Sequence, residues 1–111
     1  PARSRLISAA IEYVSFAQER PAMFELMFRH DLLEGAGSNL RESSLPLFAA
    51  LQSLTEEADA SDPTTSALNI WTGTHGIAVL AANRSLTLVA PDLDVPSLVA
   101  TAVTDHLPRT R

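Results

Sequence analysis

The sequence predicts an all-α domain, and three observations carry that prediction. Apolar residues recur at three- and four-residue intervals along most of the chain. Prolines stand where helices can begin. The one stretch of alternating character, residues 85 to 89, has no second stretch to pair with. With 111 residues, 46 % of them hydrophobic and 19 % charged, a single domain with one core over residues 1 to 111 is the expectation. A chain this short buries roughly two thirds of its unfolded surface. So much apolar content therefore predicts that some of it is covered by a partner, and a second copy of the chain is the simplest one.

Residues 2 to about 18 set Leu6, Ala9, Ala10, Tyr13, Phe16 and Ala17 on one stripe, widened by Ile7 and Val14, which defines a first amphipathic helix. Pro21 suits the first position of a short second helix, with Met23, Phe24, Met27 and Phe28 on one side and an end near Arg29 or His30. Residues 34 to 39 are rich in helix breakers and read as a loop. Ser44 is the expected N-cap of a third helix, with Pro46 in its first turn and Leu47, Phe48, Leu51 and Leu54 on its apolar stripe up to about Glu57. Residues 58 to 62 form a polar loop.

Asp62 and Pro63 cap and open a fourth helix running to about Ala82. Leu68, Trp71, His75, Ala78 and Ala82 line one face of it, while Ile70, Ile77, Leu80 and Ala81 mark another. A helix apolar on two faces must be covered on both. Asn83 is expected to stop it in the left-handed conformation. Residues 85 to 89 read as a loop. After Pro91, Asp94 caps a fifth helix, from about Val95 to Leu107, with Leu98, Val99, Ala102, Val103 and His106 on a broad apolar face.

The charge balance restricts the function. Thirteen acidic residues stand against eight arginines and no lysine, for a net charge of −5, and the arginines form no stripe. Phosphate recognition needs concentrated positive charge, so this segment alone is not expected to bind DNA. There is no cysteine, hence no disulfide framework and no thiolate ligand or nucleophile. No apolar run approaches the roughly 20 residues that span a bilayer, and no charged-then-apolar leader precedes the domain. The expectation is a cytoplasmic protein without a membrane segment. The chain opens on Pro1 rather than a methionine, which suggests a piece of a longer protein.

Candidate chemistry is sparse. His30, His75 and His106 lie on different elements with no ligand spacing among them, so no metal is expected. No serine occupies a strand-to-helix nucleophile turn. Glu56, Glu57, Asp59 and Asp62 read as a solvated helix end and loop, and Gly35 with Gly37 lacks the third glycine of a phosphate loop. No cofactor and no catalytic constellation are expected, and the chain is not read as an enzyme. The run Trp71-Thr72-Gly73-Thr74-His75-Gly76 is different. It places an indole and an imidazole one turn apart, beside two glycines that each cost a helix about 1 kcal/mol relative to alanine. Either Trp71 and His75 pack in the core and the glycines admit a tight helix crossing, or the two rings meet a ligand directly. Phe16, Met23, Met27, Phe28 and Phe48 are each core candidates, and together they offer adaptable surface for an apolar pocket.

Two stretches carry a family resemblance, residues 10 to 28 with Tyr13, Phe16, Pro21, Phe24 and Phe28, and residues 71 to 80 with Trp71, His75 and Gly76. They resemble the C-terminal domain of the TetR-family regulators named for a Trp and His-Gly signature, with Arg20 standing where that pattern often has histidine. The resemblance implies that the last two helices, 63 to 82 and 95 to 107, pair with their symmetry mates as a four-helix bundle, and that the parent protein binds DNA only through an N-terminal helix-turn-helix missing from this chain. The function expected on this basis is effector binding and dimerisation in a ligand-responsive regulator, a repressor released from DNA by an apolar small molecule. Its cavity is expected to be lined by Phe16, Met27, Phe48, Leu51, Trp71 and His75, with Phe48 and Trp71 as walls and His75 as the orienting polar group. The alternative is a homodimeric interaction module with a filled interior and no small-molecule ligand.

Overall fold

The structure, a computed structural model, describes residues 1 to 28 and 37 to 109, and for residues 37 to 45 the backbone alone. Among the described residues the chain is all-α: α1 is Ala2–Glu19, α2 Pro21–Met27, α3 Gly37–Glu57, α4 Pro63–Ala82, α5 Ser85–Val89 and α6 Val95–Thr104. The start signals work largely as their chemistry dictates. Pro21 opens α2 at its first position. Asp62 caps α4, its Oδ1 accepting from the Thr65 backbone N–H at 3.2 Å and its Oδ2 from the Thr65 hydroxyl at 2.7 Å. Asp94 stands at the N-cap of α6, but its carboxylate accepts from the Ser97 hydroxyl at 2.6 Å rather than from a helix-end amide.

Four expectations are corrected. Helix α3 begins at Gly37, so residues 37 to 39 are not loop, Ser44 is no N-cap, and Pro46 is the tenth residue of the helix. Residues 34 to 36, and the expected end of the second helix at Arg29 or His30, fall outside the described residues. Residues 85 to 89 form a short helix rather than a loop, which makes six helices instead of five. The left-handed residue after α4 is Arg84, with φ 65°, and not Asn83. Asn83 instead turns its Oδ1 onto the Ser85 N–H at 2.9 Å, a side-chain turn that closes α4 and shifts the positive φ one residue on. The last helix ends at Thr104, and Leu107 is buried in the turn that follows.

Helices α1, α4 and α6 build the core, and α3 packs on α1 and α4. Leu6, Ala10, Val14 and Ala17 of α1 meet Ile70 and Ala78 of α4, Val99 and Val103 of α6, and Phe24 of α2. The small side chains at Ala10, Ala17, Ala67 and Ala78 let these axes approach closely. The buried Thr55 ties α3 to α4 through its hydroxyl, which lies 2.7 Å from the Gln52 carbonyl and 3.1 Å from that of Pro63. The inner face of α4 is Ala67, Ile70, Thr74 and Ala78, so Leu68 and Trp71 lie further round the helix than expected and are 45 % and 39 % exposed.

Candidate ligand pocket

The site begins with the break between α1 and α2. Arg20 leaves helical geometry at φ −133° and ψ 65°, Pro21 restarts the helix, and α2 folds back over the end of α1. Phe24 and Phe28, one turn apart, then fall on the side that meets Tyr13 of α1 and His75 of α4. Phe24 stands edge-on to Tyr13, with centroids 5.7 Å apart at 87°, and Phe28 stands edge-on to His75 at 4.5 Å and 63°. Trp71, one turn before His75, has its ring 5.8 Å from the imidazole. Four aromatic side chains thus surround one histidine, in the offset and edge-on geometries that ring quadrupoles favour.

The polar centre is a 2.8 Å hydrogen bond between Tyr13 Oη and His75 Nδ1. Burial lowers the His75 pKa from its ordinary 6.5, so the ring is neutral at pH 7. Burial pushes the Tyr13 hydroxyl up to about 12, with a hydrogen bond from the Trp71 side chain acting in the opposite direction. A tyrosine hydroxyl can donate to an imidazole nitrogen or accept from one, so the direction of this bond follows the tautomer of His75. The other ring nitrogen, Nε2, makes no hydrogen bond among the described residues.

Beside this cluster lies a cavity of about 340 Å³, open to solvent on one side. Its apolar walls are Pro21, Phe24 and Phe28 from the α2 side and His75, Val79 and Ala82 from α4. Glu25 and Asn83 add polar groups at the rim. Among the described residues no group of three potential ligands could hold a metal ion, and no helix is long and apolar enough to cross a membrane.

Of the residues expected to line a pocket, His75 does so and Trp71 stands against its ring. Phe16 and Leu51 are half-buried and pack against the core; Phe48 is half-buried on α3; Met27 is 40 % exposed on α2. None of these four lines this cavity. Phe28, one of the residues expected to offer apolar pocket surface, lines the cavity; Phe24, a second wall, and Tyr13, the hydrogen-bond partner of His75, were not among the expected site residues. A signal was present in the four-residue spacing of Phe24 and Phe28 after Pro21, but Met23 and Met27 share that spacing, and the direction in which α2 folds back decides which pair turns inward. The glycines are not close-approach sites within the protomer. A Cβ at Gly73 would sit 3.9 Å from that of Ala102, an ordinary contact, and one at Gly76 would meet nothing within 4 Å.

The described residues thus form an all-α domain with a half-open aromatic cavity between the α1–α2 pair and the long helix α4. The chain belongs to the family described as Tetracyclin repressor-like, C-terminal domain, which it matches over residues 6 to 106. Membership implies a domain that binds a small-molecule effector and dimerises, in regulators that contact DNA through a separate N-terminal domain. Searches of curated proteins and of solved structures gave no match.

Proposed function

We propose that this chain is the effector-binding and dimerisation domain of a ligand-responsive transcriptional repressor, and that an apolar small molecule entering the cavity beside His75 releases the parent protein from DNA. The observation that carries the reading is the cavity itself, walled by Phe24, Phe28 and His75 and open to solvent, in a member of this family. Trp71 supports the His75 ring from one turn earlier on α4. Releasing an operator a hundredfold takes about 2.7 kcal/mol of differential ligand affinity between two states. Because His75, Val79 and Ala82 belong to α4, a ligand presses directly on the long helix, which pairs together with α6 against its symmetry mates in the proposed dimer.

The test is thermal unfolding with a panel of apolar aromatic compounds. A ligand at a hundred times its dissociation constant stabilises the folded state by about 2.7 kcal/mol, which raises the melting temperature by several degrees in a domain this size. Phe28→Ala should abolish that rise. A second reading, a homodimeric interaction module with no ligand, is favoured by the exposed apolar residues Leu68 and Leu80 on α4 and Leu88 and Val89 on α5. It predicts no stabilisation by any compound in the panel.

A further inference from the structure

We infer that the cavity selects compact aromatic ligands carrying a positive charge and excludes anionic ones; the inference rests on the effector-binding reading and adds the ligand's chemical class. Size comes first. A cavity of about 150 Å³ accepts benzene, so about 340 Å³ suits two fused rings or one ring with a short side chain. The walls come next. Phe24, Phe28 and His75 present rings with centroids 4.5 to 5.4 Å apart, and an aromatic face attracts a cation within about 6 Å of its centroid.

The rim decides the sign. Among the described residues Glu25 is the one charged residue lining the cavity, and none of those lining it is an arginine that could pair with a carboxylate or phosphate. It follows Phe24 directly on α2 and is exposed, so its carboxylate sits at the mouth beside the ring wall without a burial penalty. His75, held neutral by burial, adds no competing positive charge. Asn83, whose Oδ1 already accepts from Ser85, contributes a neutral amide. The chain's net charge of −5 gives the approach the same preference.

The experiment is calorimetric titration of the chain at low salt and pH 7.5 with three probes on one skeleton: 1-naphthylmethylammonium, 1-naphthalenemethanol and 1-naphthoate. The expected order of affinity is cation, then alcohol, then anion, with at least about tenfold between the first and last, the ratio that 1.4 kcal/mol gives. Glu25→Gln, a change at an exposed position, should bring the cation down to the level of the alcohol and leave the alcohol unchanged. Equal binding of all three probes, or a cation preference that survives Glu25→Gln, overturns this inference and leaves the effector-binding reading standing. Failure of every probe to bind at millimolar concentration removes both.

Discussion

His75 ionises less readily in the folded chain than in the unfolded one, because burial penalises the imidazolium. Between its lowered folded value and 6.5 the unfolded chain binds more protons, so His75's contribution to stability is fully present above pH 6.5 and is lost as the pH falls through that window. Tyr13 acts at the other end. Its hydroxyl ionises near 10.0 when unfolded and about 12 when folded, so stability is lost as the pH rises between those values. Denaturant melts across pH should show both limbs, and His75→Gln should flatten the acid one; an unchanged acid limb in that variant contradicts the assignment. Thr74 supplies a second test. Its hydroxyl is buried on the inner face of α4 with no hydrogen-bond partner among the described residues. Thr74→Val, nearly isosteric, should raise stability by about 1 to 3 kcal/mol, the cost of an unsatisfied buried polar group, and a loss of stability would show that the hydroxyl has a partner. At this scale the sequence made His75 and Trp71 conspicuous through their spacing. The Tyr13 partner could not be read from it, because a contact 62 residues away in sequence depends on how α1 crosses α4.

Helix boundaries were legible where local chemistry acts alone. Asp62 with Pro63 marks the start of α4 because a carboxylate cap and a proline without an N–H both suit a helix's first turn. The same logic misplaced α3. A proline reads as a first-turn residue, yet Pro46 sits deep within α3, where it removes a backbone hydrogen bond and crowds the preceding turn. The packing of Leu51, Leu54 and Thr55 against the core outweighs that cost. Pro46→Ala should therefore stabilise the chain by up to about 3 kcal/mol in urea melts. No gain would mean that α3 starts at Ser44 after all, where a first-turn proline costs nothing. Helix α5 escaped detection for a different reason: five residues are too few for a helical period to separate from alternation.

The whole molecule is a slab 44 by 38 by 18 Å, only about two helix layers deep. In so thin a body α4 has one face on the core and leaves Leu68, Val79 and Leu80 39 to 45 % exposed, while Leu88 and Val89 of α5 are 83 % and 80 % exposed. The apolar composition foretold this uncovered surface, but not its place, because Leu68 and Trp71 share the periodicity of core residues. Gly76 sharpens the point, since it lies on the exposed side of α4 with open space above it. Gly76→Gln should stabilise the protomer's helix by up to about 1 kcal/mol. If α4 packs against a second copy, the same change should shift the chain from dimer to monomer in sedimentation equilibrium. A dimer of unchanged affinity would place the interface elsewhere.

The measurement that bears most directly on the central claim is a nuclear magnetic resonance titration with an aromatic fragment set, following the Trp71 indole N–H, the His75 ring and the backbone amides. The account predicts fragments that shift Trp71, His75 and residues 24 to 28 together, saturably, and that cease to do so in Phe28→Ala. Fragments that bind but leave these signals unmoved would contradict it, and would assign effector recognition to a different part of the chain.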